Sequence, residues 1–250
     1  QLFNRSAYVG YTATPFANIF IAADNNNDLF PRDFIINIPA PSNYIGPEKV
    51  FGISTIPSDE NESVLPIVNT ISDYQDFIPE RHKKDGNKPD YESIPKSLKT
   101  AIKCFIITCA IRRLRGQGNK HNSMLIHVSR FQSWQNHIKE LVEKLFNYYK
   151  NEIAANDPGV INEFRHVFEV DTSDYDSYTT ISNSILNSPN ADIDNKVKVH
   201  SWEDVREQLY PAVQKIEVKS INGSSGDVMD YQLYEDIGIS VIAIGGDKLS

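Results

Sequence analysis

The stretch Ser123-Met124-Leu125-Ile126-His127-Val128-Ser129, with the helix pattern behind it, constrains the fold more than any other feature. Its apolar centre is continuous rather than alternating, as in an interior strand of a parallel sheet with both faces covered. Arg130 and Phe131 mark its end. Ile138, Leu141, Val142, Leu145, Phe146 and Tyr149 then recur at three and four, which places them on one face of a helix. Strand, short turn and long amphipathic helix make half of a βαβ unit. Ile239 to Ile244 is a second strand of the interior kind, followed by Gly245-Gly246-Asp247.

The rest of the chain fills in around these two strands. Leu98, Ala101, Ile102, Phe105, Ile106, Cys109 and Ala110 predict a helix that Pro95 opens and Gly116 and Gly118 stop. Phe164 to Val170 predicts a strand and Asp174 to Leu186 a helix. Ser201 to Gln214 predicts another helix, with Ser201 as its cap and a kink or early end at Pro211. Glu217 to Ile221 alternates as a strand. Near the start, Ser6 to Tyr11 reads as a short buried strand running into Thr12-Ala13-Thr14-Pro15, and Phe34 to Ile38 as another. Eight prolines from Pro39 to Pro95, counting both ends, make that region an irregular insertion or linker. Repeated switching from strand to helix predicts a three-layer α/β domain.

Composition narrows the class. The 250 residues are 40% hydrophobic and 23% charged, enough apolar side chain for a sizeable core. The formal net charge of -8 argues against a blanket nucleic-acid coat but leaves room for a local binding strip. No apolar run reaches the roughly 20 residues of a membrane span. Cys104 and Cys109 sit in an apolar helical pattern and read as packed thiols of a reducing compartment, which fits a cytoplasmic location. The start at Gln1 and the end straight after a strand pattern read as cuts in a longer protein.

Familiar catalytic patterns are missing from the sequence. There is no Gly-rich loop ending in Lys and Ser or Thr, so a triphosphate is not cradled here in the usual way. Asp59-Glu60 and Glu235-Asp236 lie in polar surroundings rather than at the end of an apolar strand. The two cysteines and six histidines make no zinc spacing, and no metal site is expected. Glu163, Glu169 and Asp171 are the carboxylates nearest to a divided nuclease site.

Three polar clusters fall at predicted strand ends: Thr12-Ala13-Thr14, His127-Val128-Ser129-Arg130 and Gly245 to Ser250. Ligands of doubly wound sheets sit outside such ends. Hydroxyls, glycines, Arg130 and Lys248 there suit phosphate contacts. The plainer alternative is that Thr12 and Thr14 cap a turn while Gly245 and Gly246 permit tight packing. Arg112, Arg113 and Arg115 likewise admit two readings, a basic phosphate-binding edge or ordinary charging of a helix C-terminus.

Ala7-Tyr8-Val9-Gly10-Tyr11-Thr12-Ala13-Thr14-Pro15-Phe16-Ala17-Asn18 resembles the Ser/Thr-Ala-Thr motif of superfamily 2 helicases, in the form found in Z1-domain proteins. These are bacterial and phage helicase-like ATPases described as endonucleases. Val241 to Ser250 resembles a later segment of the same family, and Met124 to Arg130 the first strand of a second RecA-like lobe. The resemblance implies a P-loop NTPase architecture. Residues 1–29 would end the first lobe, 30–94 form a largely irregular insertion, and 95–250 form a second lobe truncated at its C-terminus. It also implies ATP and Mg²⁺ as cofactors of the full-length protein, with the nucleotide loop outside this chain. Thr12, Ala13 and Thr14 would couple hydrolysis to DNA. Ser129, Arg130, Gly245, Gly246, Asp247, Lys248 and Ser250 would meet the nucleic-acid backbone. DNA, double-stranded, and restriction-modification proteins are the implied partners. A non-catalytic scaffold or interaction domain, and a metal-dependent DNA endonuclease module, are the alternatives.

Overall fold

The computed structural model describes residues 9–13, 19–21, 30, 34–39, 41, 43–52, 64–188, 197–221 and 231–245. The chain divides into two compact units, residues 1–44 and 45–250. This division falls inside the segment 30–94. In the first unit, Val9 to Ala13 and Phe34 to Pro39 are exposed and form no strand. That overturns the expected strands over 6–11 and 34–38 as far as they are described. Val9, Tyr11, Phe34 and Ile36 all face solvent, without the burial that drives a strand to pair.

In the second unit the elements are α1 (Pro47–Phe51), α2 (Lys96–Leu114), β1 (Asn122–His127), α3 (Gln132–Ala154), α4 (Pro158–Glu169), α5 (Tyr178–Leu186), α6 (Trp202–Val213), β2 (Ile216–Ile221) and β3 (Ser240–Gly245). The result is an α/β fold: a small parallel sheet with flanking helices. Its strand order is β1-β3-β2, so the last strand in sequence lies between the other two. All six residues of β3 are buried, which explains the unbroken apolar run from Ile239. β1 departs from expectation, because it pairs with β3 alone and lies at an edge of the described sheet. Leu125, in the middle of its apolar run, is 50% exposed. Met124 and Ile126 point to the opposite face, into the main core.

That core joins the sheet to the helices. Ile242 and Ile244 of β3 and Ile216 of β2 meet Ile106 and Ile107 of α2, Ile138, Val142 and Phe146 of α3, Phe164 of α4 and Leu209 of α6. The expected strand over Phe164 to Val170 is a helix instead. Asp157 caps α4 by accepting a hydrogen bond from the Val160 N–H, and Pro158 stands in its first turn. Val160, Phe164, Val167 and Phe168 are its buried residues, spaced at four, three and one. Helical period therefore outweighs the β-propensity of this aromatic and β-branched run. Ser177 and Ser201 cap α5 and α6 in the same way as Asp157 caps α4. Helix α6 runs through Pro211 and stops two residues later, at Val213.

A glycine admits β3 to the sheet. Gly238 has φ +68°, and a Cβ there would lie 2.5 Å from the Asn119 carbonyl carbon and 2.6 Å from its oxygen. Only the residue without a side chain fits both the left-handed backbone and this close approach.

Candidate phosphate-facing edge

The parallel register sets the two ends of the sheet apart. His127, Gly245 and Ile221 lie in one row at its C-terminal edge, while Asn122, Ser240 and Ile216 lie in one row at the other. Five strand steps of about 3.3 Å separate the two rows, or about 17 Å. The structure therefore sets His127, which opens one of the clusters singled out above, beside Gly245, which opens another. Gly246, Asp247, Lys248 and Ser250 lie outside the described residues, as does Thr14. Thr12 and Ala13 are exposed and belong to the first unit.

Ser129 and Arg130 turn the chain from β1 into α3, and they differ sharply in exposure. Ser129 is 5% exposed. Its Oγ lies 2.7 Å from His82 Nε2 and accepts from the Phe131 N–H at 3.1 Å. The Ser129 carbonyl accepts from Gln135 Nε2 at 2.6 Å. Gln135 is itself buried, and its Oε1 finds no partner among the described residues. His82 Nδ1 lies 3.0 Å from the Pro79 carbonyl, which can only accept. In the neutral ring Nδ1 thus carries the proton and Nε2 accepts from the Ser129 hydroxyl. Arg130, by contrast, is exposed, with its guanidinium carbon 4.9 Å from the centre of the Phe131 ring.

The irregular segment supplies the lid over this turn. Trp134 Nε1 donates to the Lys83 carbonyl at 2.9 Å, Ser133 Oγ to the Lys84 carbonyl at 3.1 Å, and His137 Nε2 lies 2.7 Å from the Pro89 carbonyl. Phe77 and Ile94 anchor the same segment in the main core. His82, Trp134 and Gln135 were invisible to motif reasoning. Their roles depend on contacts across 47 to 51 residues, or on a main-chain carbonyl.

The arginine cluster lies at the other edge. Arg112 donates to Gln117 Oε1 and to the His121 carbonyl, just before β1 begins. Arg113 donates to Gln208 Oε1 and Arg115 to the Lys198 carbonyl. Each guanidinium ties the end of α2 to a neighbouring segment, about a strand length from Arg130.

The thiols and acids have equally local partners. Cys104 and Cys109 are free, and burial pushes both thiols up to about 11, so neither is a ready thiolate. Glu163 pairs with Lys103 and Glu169 with Arg165. Asp171 accepts from the Ser177 N–H and from Thr180 Oγ1. Among the described residues no three His, Cys, Asp or Glu side chains gather as a metal site. Nor does a glycine-rich triphosphate loop occur in the sequence. The described residues do not by themselves fit a Mg²⁺-bound triphosphate. No described helix is long and apolar enough to cross a membrane.

Residues 97–250, well over half of the chain, match the model of the Z1 domain. The chain belongs to the Z1 domain family. The matched Z1 region begins in the first turn of α2 and includes all three strands, Ser129, Arg130 and the segment from Gly245 to Ser250. The Thr12-Ala13-Thr14 motif and the lid at residues 74–90 precede it. No curated protein and no solved structure matches the chain.

Proposed function

We propose that this Z1-domain chain is part of an ATP-dependent, DNA-acting, helicase-like ATPase or translocase linked with DNA restriction or modification. In this reading the second unit is a second RecA-like lobe, and ATP and Mg²⁺ are used by the full-length protein. The observation that carries the reading is the Z1 match over a parallel sheet whose β1 and β3 ends lie in register at one edge. A nucleic-acid backbone is met there by exposed Arg130 and by the segment from Gly245 to Ser250. Ser129 holds the turn in shape through its buried hydroxyl. Thr12, Ala13 and Thr14 couple the nucleotide state to DNA. The partner is double-stranded DNA, together with proteins of a restriction-modification system, in the cytoplasm.

ATP hydrolysis by the full-length protein, with and without duplex DNA, tests this. DNA raises turnover, and Thr14→Ala and Lys248→Ala weaken that stimulation, while the 250-residue chain alone gives no turnover. A folded full-length protein that hydrolyses no ATP under any DNA condition contradicts the reading and favours a scaffold.

A further inference from the structure

An acidic chain has gathered exposed positive charge in one turn of its lid. Residues 81–88 read Arg-His-Lys-Lys-Asp-Gly-Asn-Lys. Arg81, Lys83, Lys84 and Lys88 are all exposed, and none of them has an ion pair among the described residues. Asp85 is the single acid within the turn. Glu80 precedes it, and Asp90 follows with its carboxylate turned to the Ser93 N–H and hydroxyl.

The turn is held in place rather than left loose. The His82–Ser129 bond and the bonds to the Lys83 and Lys84 carbonyls fix its backbone on the start of α3, so the lysine side chains project from an anchored main chain. Helix α3 is 23 residues long and has no acid in its first turn, so nothing on the helix offsets the positive end of its dipole. Arg130 belongs to the same surface. Its guanidinium and the His82 ring both flank Phe131, at 4.9 and 5.8 Å from the ring centre.

We infer that the turn 81–88 and Arg130 form one phosphate-contacting surface for the backbone of a nucleic acid. This deepens the proposed function and rests on it. Five cations spread along a surface suit a row of phosphates, whereas a single phosphate is bound by donors converging on one point. Duplex DNA carries a charge about every 1.7 Å. A protein of net charge -8 disfavours such a polyanion overall, so contact calls for a local cationic patch. With the Ser129 hydroxyl buried, the cations of the lid supply the contacts at the end of β1.

The test is duplex-DNA affinity of the full chain against salt, by fluorescence anisotropy. Three proteins are compared. They are the natural sequence, Arg81→Gln/Lys83→Gln/Lys84→Gln/Lys88→Gln, and the charge-matched control Lys99→Gln/Lys120→Gln/Lys150→Gln/Lys198→Gln. The lid variant should bind about tenfold or more weakly, and its slope of log affinity against log salt should be shallower by about 2 to 4. The control should change both far less. Equal losses in the two variants, or an unchanged slope in the lid variant, overturn the inference while leaving the proposed function standing. No salt-dependent DNA binding by the natural sequence, or capture by anionic vesicles in place of DNA, overturns the inference and the role of Arg130 in meeting a nucleic-acid backbone, while ATP hydrolysis by the full-length protein remains the separate test of the proposed function.

Discussion

The two edges of the sheet use the same cation in opposite ways. At the N-terminal edge, Arg112, Arg113 and Arg115 are each bound to a carbonyl or side-chain amide, and Gly238 leaves room for the Asn119 backbone where any Cβ would overlap it. At the C-terminal edge, Arg130 and the cations of residues 81–88 point into solvent from an anchored main chain. An arginine bonded to its own protein holds structure together, while one left exposed beside a helix N-terminus is placed to meet an anion. Location within the fold, rather than residue type, separates the two jobs.

Substitutions should sort by edge. The largest effect belongs to Trp134→Ala. The ring is fully buried and its Nε1 holds the Lys83 carbonyl, so truncation should cost about 3–5 kcal/mol in denaturant unfolding. It should also weaken DNA binding, because it releases the lid. A folded Trp134→Ala protein with undiminished affinity would separate the lid from the binding surface. Gly238→Ala comes next, at about 3 kcal/mol, from left-handed strain added to overlap with Asn119. Its effect on DNA affinity at fixed folded fraction should be nil.

Arg112→Ala should cost about 1–2 kcal/mol by removing bonds to Gln117 and His121, again without moving the salt slope. Arg130→Ala should do the reverse. Its stability should change by less than about 0.5 kcal/mol, and its salt slope should fall by about 1. A basic N-terminal edge that binds DNA would exchange these two outcomes.

The smallest effect is a pH dependence at the N-terminal edge. Burial, then the nearby Arg115 charge, lowers the pKa of His200 below its ordinary 6.5. The unfolded chain then binds the proton first, so stability should fall as pH drops through about 6.5. His200→Gln should flatten that part of the profile, measured as denaturation midpoint against pH. An unchanged profile would remove His200 from the structural account of this edge.

Much of this was legible from residue order, and the failures have physical causes. The apolar run from Ile239 named the buried central strand, and Ser201 and Pro95 marked helix starts. Those signals are local. The Phe164 to Val170 segment was misread because aromatic and β-branched residues suit either element. The Asp157–Pro158 cap that decides for helix lies outside that run. Edge position in β1 depends on which strands pair, and no stretch of its own sequence encodes that. The C-terminal edge was anticipated at Arg130 and Gly245, yet the lid was not. His82 reaches Ser129 across 47 residues, and main-chain carbonyls of Lys83 and Lys84 leave no trace in residue identity. The N-terminal arginines posed the opposite difficulty. Their spacing admits both a charged helix end, the plainer reading, and a phosphate edge, and the bonds each guanidinium makes to its own protein leave no trace in residue order.

Hydrogen exchange of the full chain with and without duplex DNA tests the contrast between the edges most directly, on unmodified protein. The account predicts slowed amide exchange over residues 79–90 and 128–133, with residues 112–121 unchanged. Protection confined to residues 112–121 would contradict it.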